Sequence, residues 1–185
     1  MATTAWKLPG TVVAPGWTNP NNIKIKDATF ASKSVGSGGY SGVIRGENFG
    51  FTTDDIPAGS TIDGIEAESV LMNTGTAVPN AYSLYLQLVG GTNAGNNKAS
   101  SWNFPTDASI PTRIAGGAAD KWGVNPTAAQ AIASTFAVAY EFNNTDPKFG
   151  TTGNIDSFRL RFHYTAPVVT TKPRRPLGCR IGVGL

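Results

Sequence analysis

Side chains able to exchange protons, attack or bind metal are few in this chain. Its 185 residues include one histidine, His163, and one cysteine, Cys179. A Ser-His-Asp relay needs an imidazole that is oriented by a carboxylate and touches a hydroxyl. His163 stands in Arg159-Leu160-Arg161-Phe162-His163, on the polar side of an alternating run, with neither partner near it in sequence. It is read as a surface histidine. One His and one Cys cannot build a zinc cage, and no carboxylate series has calcium-loop spacing. Carboxylates do occur in pairs, as Asp54-Asp55 before a turn and as Glu66 with Glu68. Glycosidase carboxylates flank a sugar from opposite sides, whereas residues two apart in a strand share one face. Glu66 and Glu68 are therefore read as a solvated strand face. Phosphate-binding loops and dinucleotide fingerprints are missing, and the glycine clusters do not open helices. The expectation is a protein that is not an enzyme, with no cofactor and no metal.

Recognition is the other chemistry to weigh. Trp6, Trp17, Trp102 and Trp122 all sit near Pro, Gly or Asn in loop-like contexts. Exposed, they would be stacking platforms for sugars; folded back, they would plug the ends of a β-sandwich, which is the preferred expectation. The net charge of +3 hints at nucleic acid until it is mapped. Lys172, Arg174, Arg175 and Arg180 lie in a final segment without acidic residues, and removing them leaves 11 basic and 12 acidic residues. The basicity belongs to a tail, so nucleic-acid binding is not expected.

The body of the chain reads as strands. Phe158, Leu160, Phe162 and Tyr164 alternate with Arg159, Arg161 and His163. Tyr82, Leu84, Leu86 and Leu88 form a second apolar face. In Phe136–Phe142 the large residues face inward and the alanines outward, towards a neighbouring chain. Further strands are expected at Ser41–Phe51, Thr61–Met72 and Ser109–Ile114, with a weaker one at Ile23–Ala31. Turns are expected at Ser37-Gly38-Gly39, Pro57-Ala58-Gly59, Gly90-Gly91-Thr92-Asn93 and Gly116-Gly117. One short helix is predicted over Thr127–Ala133, with Asn125 as its N-cap and Pro126 at its first position. Gly (22) and Pro (12) follow no repeating period, which excludes collagen-like and low-complexity classes. The predicted architecture is all-β: an antiparallel two-sheet sandwich, of jelly-roll type, spanning residues 1–166.

Residues 167–185 read as an extended basic C-terminal arm, Pro-punctuated and ending in Leu177-Gly178-Cys179-Arg180-Ile181-Gly182-Val183-Gly184-Leu185. In this reading the arm binds a partner through Lys172, Arg174, Arg175, Arg180, Ile181, Val183 and Leu185, with Arg174 and Arg175 on carboxylates of a neighbouring subunit and Ile181, Val183 and Leu185 in apolar notches. Cys179 has no internal partner and is read as an inert thiol. The opening MATTAWKLPGTVVAPG has no apolar core of a secretion signal, and no stretch has the length of an apolar membrane span. No membrane association is expected, and synthesis in the cytoplasm is.

Several phrases, taken in order, carry a resemblance: GWTNPNNIKIKDATFA, ENFGF, IPAGSTIDGIEAES, GTNAGNNKASSWNFP, GGAADKWG, NPTAAQAIASTFAVAYEF and IDSFRLRFHYTAP. This succession resembles a family of tailed-phage and prophage virion structural proteins, over about Trp17–Thr165. The resemblance implies a jelly-roll sandwich, a place in the virion as head decoration or as a neck or tail component, and other virion proteins and copies of itself as partners. It transfers no catalytic residue. Ala67 and Ser69 depart from it by replacing bulkier residues, and the arm lies outside it. The alternative reading is a carbohydrate-binding or adhesion module that recognises a host-surface glycan.

Overall fold

The computed structural model describes residues 1–89, 91–106 and 109–168. Ten strands carry the fold: β1 (Ala2–Thr3), β2 (Thr11–Val13), β3 (Ala31–Val35), β4 (Ile44–Glu47), β5 (Thr61–Asn73), β6 (Asn80–Gln87), β7 (Asn93–Ala94), β8 (Thr112–Gly117), β9 (Ala137–Asn143) and β10 (Thr151–Thr165). Short 3₁₀ turns occupy Pro20–Ile23 and Ala99–Trp102, and the helix α1 is a single turn, Ala128–Ala131.

All pairings between these strands are antiparallel, and they form two sheets. In the first, β10 lies between β5 on one side and β1 and β3 on the other, and β8 extends the sheet beyond β5. The second runs β2-β4-β9-β6-β7. From β3 onward the orders are β3-β10-β5-β8 and β4-β9-β6-β7, with successive strands mostly changing sheet. That is the strand order of a jelly roll.

Alternation decides what lies between the sheets. Ile65, Ala67, Ser69 and Leu71 of β5 face Phe158, Leu160 and Phe162 of β10 on the inner side of the first sheet, all fully buried. Ile44, Leu84, Leu86, Val138, Tyr140 and Phe142 line the second sheet's inner side. Ala67 and Ser69 stand opposite Leu160 and Phe158 in register. Phe158 in turn carries the Trp102 ring, with centroids 5.0 Å apart. The aromatic rings interlock edge to face, as in Phe51–Phe162 at 5.0 Å and Phe136–Phe162 at 5.3 Å.

The expected strands at Thr61–Met72, Phe136–Phe142 and Phe158–Tyr164 are present as β5, β9 and the second half of β10. Ser41–Phe51 pairs only over Ile44–Glu47, because backbone at Gly42 and Gly50 takes positive φ and leaves the ladder. Ile23–Ala31 is not a strand: Ile23 ends a 3₁₀ turn and strand structure begins at Ala31. The strand expected at Ser109–Ile114 begins later, at Thr112, and runs through Gly116-Gly117, the site of an expected turn. Gly116 is required there because a Cβ would collide with the Ile65 carbonyl and the Trp122 indole, at φ +86°. The helix is capped by Thr127 rather than Asn125. The Thr127 hydroxyl accepts from the Gln130 N–H at 3.2 Å, while the Gln130 side chain accepts from the Thr127 N–H at 2.9 Å.

Candidate binding surface

Each sheet has an outer side, and the two are built differently. On the first, Glu66 and Glu68 of β5 stand opposite Arg161 and Arg159 of β10. Glu68 accepts from Arg159 at 2.5 Å and 2.9 Å and from Lys26 at 2.8 Å, with its side chain only 6% exposed. Arg161 pairs with Glu66. The Trp6 ring then lies over Arg161 at 4.4 Å and Arg159 at 5.4 Å. The reading of Glu66 and Glu68 as a solvated face is thus corrected: they share a face, but cations from β10 and the segment before β3 cover it.

His163 is likewise on the expected side of β10 but is buried, at 6% exposure. β1 covers it: Thr3 pairs with His163, and the Thr3 hydroxyl lies 2.9 Å from Nδ1. Glu66 Oε1 lies 3.5 Å from Nε2. Hydroxyl, imidazole and carboxylate therefore come in the order of an acyl-transfer relay, which the sequence could not reveal because Thr3 is 160 residues away. Glu66 is already engaged by Arg161, and His163 Nε2 has no hydrogen-bond partner among the described residues. The arrangement locks β1 onto the sheet. Asp55 serves the same end. Burial pushes its pKa up, but hydrogen bonds from Lys7 at 2.6 Å and from the Thr52 N–H hold it below the usual carboxylate value.

Three of the four tryptophans are plugs. Trp102 and Trp122 are fully buried and Trp17 nearly so. Trp122 donates from its indole to the Ile65 carbonyl at 3.0 Å, and Trp17 to the Gly42 carbonyl at 3.3 Å. Trp6 is half-buried, laid over the two arginines. None forms an open stacking platform. Among the described residues no three His, Cys, Asp or Glu side chains gather as a metal site, and no helix is long and apolar enough to cross a membrane. Cys179 and the proposed arm contacts Lys172, Arg174, Arg175, Arg180, Ile181, Val183 and Leu185 lie outside the described residues.

The second sheet's outer side is the open one. Register places Val13, Arg45, Ala139 and Tyr85 in one row across β2, β4, β9 and β6. Thr11, Glu47, Ala137, Gln87 and Asn93 form the next. The outward alanines form a low floor between taller neighbours and are buried within this chain itself, at 1% and 3% exposure. A cavity of about 400 Å³ opens here between Val13, Pro15, Val43, Arg45, Gln87 and Gly91. Arg45 reaches Gln87 at 3.4 Å and Glu47 at 3.3 Å, both long contacts, and its buried Nε has no acceptor among the described residues.

Further along β9 the same side carries Glu141, whose pKa is raised by burial against a weaker opposing hydrogen bond from the Gly42 backbone. Beyond it stand Tyr40 and Tyr82, 54% and 48% exposed, packed edge to face with centroids 4.8 Å apart. The sequence placed Tyr82 on the buried face with Leu84 and Leu86. A bulge between Ala81 and Ser83 resets the alternation, so that Ala81 packs on the core and Tyr82 points out. The exposed aromatics are thus Tyr40, Tyr82 and Phe149, not the tryptophans. Periodicity could not locate Tyr82 among them, because a one-residue bulge leaves no mark in the alternation. Comparison with protein-family models, with curated proteins and with solved structures finds no match to this chain.

Proposed function

We propose that this protein is a non-enzymatic structural subunit of a tailed-phage virion, made in the host bacterial cytoplasm and placed in the particle as head decoration or as a neck or tail component. One observation carries the reading. The phrases that resemble virion proteins fall, in order, on the framework of a jelly roll. Trp17, Phe49, Phe51, Ile56, Ile65, Trp102, Phe104, Trp122, Phe136 and Phe162 are all core residues of the sandwich. A resemblance made of core and turn residues is a resemblance of scaffold, and jelly rolls are a recurrent scaffold of viral shells.

In this reading neighbouring virion proteins and copies of the chain are the partners, and residues 167–185 form the anchoring arm, with Arg174 and Arg175 on carboxylates and Ile181, Val183 and Leu185 in apolar notches. The test is to delete Pro167–Leu185 and to purify particles. Circular dichroism should show the body still folded, and quantitative mass spectrometry of the particles should show incorporation reduced by about tenfold or more, as expected when a multi-contact arm is lost. A truncated chain incorporated at the wild-type level would sink the arm assignment. Absence of the full-length chain from purified particles would sink the virion reading itself.

A further inference from the structure

We propose that the outer side of the second sheet is a glycan-binding face, with one sugar ring seated in the Arg45–Gln87 cavity and the adjoining chain running along β9 to the Tyr40–Tyr82 pair. The proposal stands independently of the virion reading, since it rests on this surface alone.

Three observations converge on a sugar. First, the cavity, at about 400 Å³, has the size of a small-molecule site. Second, its chemistry is mixed in the way a pyranose requires. Val13, Pro15 and Val43 supply apolar wall for the C–H side of the ring, and Arg45 and Gln87 supply donors and an acceptor, with Glu47 paired to Arg45 outside the lining. Adjacent sugar hydroxyls each donate and accept, so they match a guanidinium beside an amide. Among the described residues Arg45 has two long polar contacts, so ligand hydroxyls would add bonds without breaking strong ones. The Glu47 carboxylate beside the guanidinium selects a neutral ligand over an anion.

Third, Tyr40 and Tyr82 leave about half of their surface in water on the same side of the same sheet, with Glu141 and Ser83 between them and the cavity in register. Large aromatics at such exposure offer a ring face to a second sugar. The floor, Ala137 and Ala139, is made of short side chains, and Arg45 reaches across it from β4 to Gln87 on β6.

The experiment uses the full-length, ¹⁵N-labelled protein titrated with D-glucose, D-galactose, N-acetyl-D-glucosamine and L-rhamnose, then with the di- or trisaccharide of the best binder. The expected result is amide shifts at Val13, Val43, Arg45, Gln87 and Gly91 for at least one sugar. Its Kd should lie at roughly 1–10 mM, the affinity of a few net hydrogen bonds. The oligosaccharide should extend the shifts to Tyr82 and Ser83 and bind about tenfold more tightly. Val43→Trp, at an exposed wall position that does not enter the core, should abolish both, and Tyr82→Ala should remove only the oligosaccharide's advantage. Absence of shifts at these residues with all four sugars would overturn the proposal. So would shifts that survive Val43→Trp, or tighter binding of D-glucuronate than of D-glucose.

Discussion

The two outer sides of the sandwich differ in how their polar groups are spent. On the first sheet, Glu66 and Glu68 meet Arg161, Arg159 and Lys26, and Trp6, Thr3 and Lys7 cover the ladder from the N-terminal segment. On the second, Arg45 is under-bonded, Glu141 has a raised pKa, and two tyrosines face water. Both sides carry charge at similar positions of similar strands. The difference lies in coverage: a polar face closed by its own chain works for stability, and one left open with unused donors is available for recognition.

The sharpest way to break this comparison is Glu68→Gln. It would leave Arg159 and Lys26 facing a neutral amide oxygen in place of their shared carboxylate under partial cover, and unfolding in urea should show a loss of about 2 kcal/mol, below the range for a fully buried pair because both cations keep some water. The open side should tolerate change far better, so an equal loss from Val43→Trp would erase the distinction. Next in size is Trp6→Ala, which removes the ring over Arg159 and Arg161. A loss of about 1 kcal/mol is expected, with amide exchange rising in β1 and the facing part of β10.

The smallest effect concerns pH. Asp55 has a folded pKa below its ordinary 3.8, so its stabilisation is present above that value and is lost as pH falls through the lower folded one. Glu141 has the opposite sign. Its folded pKa lies above 4.5, so folding disfavours its ionised form at neutral pH, and the penalty fades as pH falls towards 4.5. Glu141→Gln should therefore raise stability slightly at pH 7, by less than about 0.5 kcal/mol given its partial solvation, and leave it unchanged near pH 4. A destabilising Glu141→Gln at pH 7 would mean that the carboxylate has a partner on the open side.

The class of fold was legible because Phe136–Phe142 of β9 and Phe158–Tyr164 of β10 alternate, and Asn125-Pro126 followed by alanines marked the helix to within a turn, although Thr127 is its cap. Other features depend on which strand lies beside which, and no single stretch of sequence contains that. His163 reads as exposed until β1 is known to pair with β10, and Glu68 reads as solvated until Arg159 is placed opposite it. The open face is harder still. It draws Val13, Arg45 and Gln87 from three strands and Tyr40 from the segment before β4, and each alone is an ordinary surface residue. Tryptophans drew the attention in the sequence, yet in a sandwich this small large rings are more useful as end plugs.

The central position of β10 has a consequence for how the protein is made. Its fifteen residues pair with β1, β3 and β5, so the first sheet is stitched together by the last of the described strands to leave the ribosome. Thr3 must wait for His163, and Ser32 for Asn154, before either finds its partner. Contacts so distant along the chain make for slow closure, and until residue 165 has emerged the inner apolar side of β5 has no cover from its main neighbour. The nascent chain therefore passes through a long interval in which a chaperone, or a sister chain on the same polysome, is the competing partner for that surface.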